Sequence, residues 1–387
     1  MHDHFFLRKD GKTYSNTFSS EVLRRYTDVF SEVTVVARYR NTDDIGSVPV
    51  SDGKDIGFVL LESISSPSSY LYLRRQYEKM IKKLIEEHEA IIVRLPSELG
   101  LMTAKIAQNM KRKYLVEVAG CGWDAMVHYG GWQSKLYAPV LFFKMKKAVK
   151  KASFVSYVTK HFLQERYPAS EDAETISVSN VMLPSMRDNV LAKRIAKIER
   201  VDRKIVFGTI ANLDVKYKGI DTAIKALASV VPVNSEIEYR ILGSGDPAPF
   251  EELAEGLGLK ERVYFDGRKS GDQAIFGWLD DIDIYLQPSY QEGLPRALIE
   301  AMSRGCPAIG SSAGGIPELL SRDKVFPRGD AVQLEKTLKI LMADRRAMSD
   351  AAKENFLRAR QYQKDLIEPR RERFMSAYRD KYFRIKR

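Results

Sequence analysis

The stretch from Ile282 to Leu319 constrains the fold of this 387-residue chain more than any other part of it. Ile282 to Gln287 is a short apolar run of strand length, broken by Pro288, Ser289, Gly293 and Pro295, after which Arg296 to Arg304 resumes at helical period. Gly305 and Pro307 close that helix, and Cys306 to Gly310 reads as a second buried strand. Ser311 to Gly315 then forms a Gly-rich turn ahead of a helix start at Pro317 and Glu318. Two consecutive strand-to-helix turns, both rich in small residues, are what a parallel sheet presents at its ligand-binding edge.

Pro295 suits a first helical position, where its missing N–H is no loss, and Gly293 lets the backbone approach a ligand closely. The helix mouth then offers unpaired N–H groups and a partial positive charge, which favour phosphate. Glu292 precedes the mouth, and Glu300 lies roughly 7 Å of axial rise beyond Pro295. With a diphosphate on the mouth, Glu300 is placed to reach ribose hydroxyls and Glu292 to meet a sugar, the spacing of a nucleotide sugar. Two solvated glutamates are the plainer reading of the pair; the strand–turn–helix context argues for the site.

The pattern D-x-Y-x-x-P-S-x-x-E-G-x-P-x-x-x-x-E-A-M-x-x-G-x-P-x-x-x-S-x-x-G-G-x-P-E, read from Asp283 to Glu318, resembles the donor-site signature of GT-B glycosyltransferases of family 4. These are the retaining enzymes of glycosyl transferases group 1, and Glu292 and Glu300 fall on their E-x7-E element. The resemblance reaches upstream to about Val206 and is weak in the first half. It implies an α/β chain of two doubly wound Rossmann-like domains facing a central cleft. Residues 1–190 would bind the acceptor and residues 191–350 the nucleotide-sugar donor. Residues 351–387 would form a basic helix or tail packing back on the first domain.

The same resemblance assigns roles along the chain. Lys218 and the N–H groups of Gly293 and Leu294 would meet the donor diphosphate. Asn212 stands where family members carry an arginine, an amide in place of a charged fork, and Lys216 is placed to contribute. Gly243 and Gly245 would shape the donor cleft, and Arg268 would contact base or phosphate. Ala119 occupies a position where a histidine is common, so Asp124 and His128 become candidates for part of that role. The catalytic candidates are thus Glu292, Lys218 and Asp124. No cofactor is expected beyond the donor substrate.

Read from the residues alone, the first half alternates strand and helix signals, from His4–Leu7 to the strand Tyr114–Val118. The following VEVAGCGWDAMVHYGGW, with Gly120, Gly122, Gly130, Gly131, Trp123, Asp124, His128 and Trp132, reads as a flexible loop at the carboxyl edge of the sheet. Its tryptophans suit either sugar stacking or packing. Leu183 to Asp202 reads as a hinge and linker. Asp280, Asp281 and Asp283 mimic a D-x-D metal motif but read as the polar start of a strand, and no cluster has metal-ligand spacing.

Charge narrows the partners. The net charge is +11, with Lys144, Lys146, Lys147, Lys150 and Lys151 together and 12 basic against 5 acidic residues in 351–387. With an apolar stripe of Leu141, Phe142, Phe143, Met145 and Val149, these runs suggest peripheral contact with anionic lipid. Nucleic acid would explain the charge but not the paired glutamates. Cys121 and Cys306 form no disulfide framework, the N-terminus is too charged for a signal peptide, and no apolar run is long enough to span a bilayer. The expected setting is the cytoplasm, at the inner face of the plasma membrane. The expected reaction moves a sugar from a nucleoside diphosphate to a hydroxyl of a glycan or lipid-linked acceptor. A sugar-nucleotide epimerase and a non-catalytic sugar-nucleotide-binding subunit are the competing readings.

Overall fold

A computed structural model describes residues 1–46, 48–62, 67–129, 131–200, 204–231 and 236–383. The first half runs β1 Phe5–Lys9, β2 Lys12–Tyr14, α1 Ser20–Thr27, β3 Val33–Asn41, β4 Ile56–Leu61, α2 Pro67–Glu87, β5 Ile92–Leu95 and α3 Glu98–Asn109. It continues through β6 Leu115–Val118, α4 Gly122–Tyr129, α5 Trp132–Lys150, β7 Phe154–Tyr157, α6 Phe162–Arg166, β8 Glu174–Ser177 and α7 Asp188–Glu199. Its strands form two four-stranded sheets, ordered β2-β1-β3-β4 and β5-β6-β7-β8, parallel except for the β1–β2 hairpin. The Arg94 N–H of β5 donates to the Met1 carbonyl just ahead of β1, tying the two sheets together.

The second half holds β9 Ile205–Ile210, α8 Ile220–Val230, β10 Ile237–Leu242, α9 Ala248–Gly256, β11 Val263–Phe265, α10 Asp272–Asp281 and β12 Ile284–Gln287. Then come α11 Arg296–Ser303, β13 Ala308–Ser311, α12 Ile316–Leu319, β14 Val325–Phe326, α13 Ala331–Ala343, α14 Arg345–Ala359 and α15 Lys364–Phe383. Six parallel strands are ordered β11-β10-β9-β12-β13-β14. All four residues of β12 and of β13 are buried, as expected of strands covered on both faces. The chain winds one way from β9 to β11 and the other way from β12 to β14. The switch point lies between β9 and β12, where such sheets bind ligands beyond the strand ends.

Several sequence expectations are corrected. The loop after β6 is helical: the glycines there end a strand and start α4, and the apolar period of residues 132–149 was long enough for the 19 residues of α5; Gly130 lies outside the described residues. In α5, Leu141, Met145 and Val149 are buried, so the stripe read as lipid-facing is mostly core, and Phe143 is its exposed member. The linker contains α7, whose Arg194 is buried and donates to the carbonyls of Leu279 (2.8 Å), Arg304 (3.1 Å) and Ile282. Residues 201 and 202 of that linker lie outside the described residues. Asp280 and Asp281 end α10 instead of starting a strand. Asp280 pairs with Arg304 at 2.6 Å, and buried Asp283 pairs with Lys197 at 2.9 Å and accepts the Val206 N–H.

Glu117 on β6 is buried yet multiply bonded, by the Tyr26 hydroxyl at 3.0 Å and Arg94 at 2.9 Å. Burial alone would raise its pKa, but Arg94, Arg371 and Arg25 together pull it below the usual value. Among the described residues of the basic tail, several cations are engaged, and residues 384–387 lie outside the described residues. Arg371 donates to Glu368 and the Ser179 carbonyl, Arg379 to the Val29 carbonyl and Lys381 to Glu174, because α15 lies against the first domain. Its Met375 and Tyr378 share a core with Phe6, Val35 and Phe154, and the Tyr378 hydroxyl meets the backbone of Ile91 at 3.2 Å. Among the described residues, no helix is long and apolar enough to cross a membrane.

Candidate active site

The turns after β9 and β12 flank the switch point and bring Lys218 beside Glu292. Lys216–Lys218 is a single 3-10 turn ending on Gly219, which holds the lysine at the start of α8. Lys218 Nζ lies 2.8 Å from Glu292 Oε1, and the same oxygen accepts from Ser289 Oγ at 2.8 Å and Gln287 Nε2 at 3.1 Å. Burial of Lys218 lowers its pKa, but the charge and hydrogen bond of Glu292 outweigh this and the net shift is upward. The ammonium therefore stays charged at a partly buried site.

The mouth of α11 is uncapped. Pro295 sits at the N-cap with φ −71° and ψ 115°, one residue earlier than its expected first helical position, and no side chain caps the helix. Among the described residues, no acceptor takes the N–H of Gly293 or of Leu294. These donors and the uncapped helix end follow directly on Glu292, which holds Lys218, so the cation and the helix mouth are gathered at one turn. Glu300, buried on α11, accepts from Arg296 Nε at 2.6 Å. Burial raises its pKa despite that cation.

The glycine at 293 serves a contact within the protein. A Cβ there would overlap the carbonyl oxygen of Ala119, at the end of β6 in the other domain. The next turn locks in behind: Gly314, at φ +55°, packs on the Glu292 carbonyl, and the Gly315 N–H donates to the Gly293 carbonyl at 2.7 Å. Glu318, the last residue of the sequence pattern, accepts the backbone N–H groups of Lys160, His161 and Phe162, 2.6 to 3.1 Å away across the domain boundary.

Asp124 also stands at that boundary. It is buried on α4, with Arg166 at 3.4 Å and Arg328 of the second domain at 3.7 Å from Oδ1, while Oδ2 is buried without a hydrogen-bond partner. Gln291 Oε1 is a second buried acceptor without a partner. His128, one turn along α4, stacks on Tyr290 with ring centroids 6.1 Å apart. Burial pulls its pKa down, with Asp124 opposing and Arg328 and Lys135 assisting. Arg328, Tyr290 and Gln291 were not singled out from the sequence. The last two lie directly ahead of Glu292, and Arg328 carries no local signal.

The remaining candidates line the strand ends. Asn212 is exposed, and its Oδ1 accepts the Asp214 N–H at 2.8 Å, leaving the amide nitrogen to donate. Gly243 lies against the Ala211 carbonyl and Gly245 against Asp214, closing the turns after β9 and β10 on each other. Arg268 reaches Asn16 of the first domain at 3.4 Å, so it spans the gap between the domains. Trp123 packs edge-on against Phe142, at a centroid distance of 6.1 Å. Among the described residues, no group of three or more His, Cys, Asp or Glu could hold a metal. A cavity of about 490 Å³ in the first domain, lined in part by Tyr26, Arg94 and Glu117, shares no residue with this site.

Residues 192–357 match the model of the family described as glycosyl transferases group 1. Over 379 residues the chain is 28% identical to Protein CapJ of Staphylococcus aureus, covering 98% of this chain and 95% of the relative. It is 35% identical over 131 residues to the amylovoran biosynthesis glycosyltransferase AmsK of Erwinia amylovora, covering 31% of this chain and 32% of the relative. Among solved structures it superposes on HepE of Anabaena, crystallised with UDP, at a TM-score of 0.65 and 17% identity, covering 97% of this chain and 100% of that one. With the switch point, the uncapped helix and two domains in contact, residues 192–357 are a glycosyl transferases group 1 domain, and the chain is a glycosyltransferase of the GT-B fold.

Proposed function

We propose that the chain transfers a sugar, with retention at the anomeric carbon, from a nucleoside diphosphate sugar to a hydroxyl of a glycan or lipid-linked acceptor. The observation that carries this is the cluster of Lys218 with the unpaired N–H groups of Gly293 and Leu294 at the mouth of α11. Two names support the substrate class: HepE is solved with UDP, and AmsK is named for biosynthesis of amylovoran. On this reading the enzyme works on the cytoplasmic side of a bacterial membrane, in the assembly of polysaccharide or glycolipid.

The diphosphate sits on the cluster, and Lys218 moves part of its interaction from Glu292 to the phosphate oxygens. Glu292 then orients the donor sugar, and Glu300 exchanges its bond with Arg296 for the ribose hydroxyls. The bond from the anomeric carbon to the diphosphate breaks through an oxocarbenium-like state. The acceptor oxygen bonds the same face, and its proton passes to a departing phosphate oxygen. Stabilising the departing charge is the main catalytic work, done by donors already in place. Because a side-chain cation and backbone dipoles carry that charge, transfer proceeds in the presence of EDTA.

A thermal-shift screen over UDP, GDP, ADP and TDP sugars identifies the donor. Incubating that donor with candidate acceptors then releases the nucleoside diphosphate with the product's anomeric configuration unchanged. Donor binding with neither transfer nor hydrolysis, or conversion of the donor to its epimer, would overturn the proposal.

A further inference from the structure

The outer face of α5 carries four apolar side chains with nothing packed over them: Trp132 is 70% exposed, Leu136 69%, Val140 46% and Phe143 66%. Each helical residue advances about 100°, so these four fall within roughly 80° of one another, on the side away from buried Leu141, Met145 and Val149. Along the same face, Lys135, Lys146, Lys147 and Lys150 are exposed, and α5 contains no acidic residue. The apolar stripe occupies the first three turns and the lysines crowd the last two. Trp123 of α4, 38% exposed, extends the apolar surface toward the domain boundary.

We infer that this face of α5 docks on an anionic lipid bilayer. A protein partner of ordinary charge would leave a row of lysines unanswered beside a desolvated tryptophan, whereas a layer of acidic headgroups over acyl chains satisfies both at once. The aromatic and aliphatic side chains enter the boundary between headgroups and chains, and the lysines meet the phosphates around them. Because α4 precedes α5 directly and carries Asp124 into the domain boundary, docking sets the mouth of the cleft against the membrane, where a lipid-linked hydroxyl is presented. The inference concerns side chains that take no part in the Lys218–Glu292 pair and does not depend on the identity of the donor.

Flotation of the full chain with phosphatidylcholine vesicles, with and without phosphatidylglycerol, tests it. The expected result is capture at least about tenfold tighter by the anionic vesicles, weakened as salt is raised. Leu136→Ser with Phe143→Ser, and separately Lys146→Glu with Lys150→Glu, each lower capture by at least about tenfold at an unchanged melting temperature. Equal capture of wild type and variants would overturn the inference, as would no capture of the wild type. So would a wild-type dimer in the ultracentrifuge that the stripe variants dissociate, since the face would then belong to a second copy of the chain. Failure of donor binding in the same preparations, with capture intact, would count against the donor site alone.

Discussion

Lys218 Nζ and Glu292 Oε1 are 2.8 Å apart, so the cation proposed for the donor phosphate and the acid proposed for its sugar hold each other. Glu292 keeps the Lys218 ammonium charged, and the contact holds both side chains aimed. Lys218→Met removes the charge proposed to stabilise the departing diphosphate and should lower kcat by about 10²-fold or more. Glu292→Gln keeps the shape and loses the anion, and should lower kcat/KM by a similar factor while nucleotide binding persists. Steady-state transfer kinetics decide; rates within about a factor of two of wild type would remove both residues from the mechanism.

Gly293 marks where the two domains touch, against the Ala119 carbonyl. Gly293→Ala adds one methyl group at a backbone-to-backbone contact, where neither side can rotate away, at a cost of about 1–3 kcal/mol to the closed arrangement. Small-angle scattering should show a larger radius of gyration, and transfer should fall with it. Gly314→Ala combines a positive φ, costing about 1–2 kcal/mol, with overlap on the Glu292 carbonyl, and should lower the melting temperature as well.

Glu300 gives stability a specific pH dependence. Burial raises its folded pKa above the ordinary 4.5, so the native chain binds this proton more tightly than the unfolded chain. Its contribution is most favourable below the unfolded value and declines as pH rises through the folded one. Melting curves across that acid window should show the decline in wild type and lose it in Glu300→Gln, which should also bind donor more weakly. Glu117 has the opposite sign. Its folded pKa is depressed, so its contribution is present above the unfolded value and disappears as pH falls through the folded one. Glu117→Gln leaves buried arginines uncompensated and should cost about 3 kcal/mol or more at neutral pH.

Asp124 and Arg328 face each other across the boundary at 3.7 Å. A double-mutant cycle with Asp124→Asn and Arg328→Gln should give a coupling of about 0.5–3 kcal/mol in transfer efficiency. Simple additivity would show that the pair does not join the domains during turnover.

The parts legible in the sequence were those written in local chemistry. β12, its turn and α11 stood out because an apolar run, Pro288, Gly293, Pro295 and a helical period follow one another without interruption. Helix α4 was missed because Gly120, Gly122 and Gly131 surround it and suggest a loop, and α7 because its helical period lies in a charged stretch that looked like linker. Arg194 holds α7 in place through carbonyls 85 to 110 residues away, a cause that no window of sequence contains. The same holds at the site. Glu292 and Glu300 announce themselves by spacing, whereas the Ala119–Gly293 and Asp124–Arg328 contacts exist only once two separate sheets have formed and met.

The return of α15 sets the order in which the molecule can be made. Phe6 and Phe154 await Met375 and Tyr378, so the half that leaves the ribosome first stays unsealed until nearly the whole polypeptide has been synthesised. The sheet from β9 to β14 carries its own helices in α8, α13 and α14 and can consolidate earlier. During synthesis, the core around β1 and β3 is thus among the last to close, although the core around β5, β6 and β7 is supplied wholly by the first half.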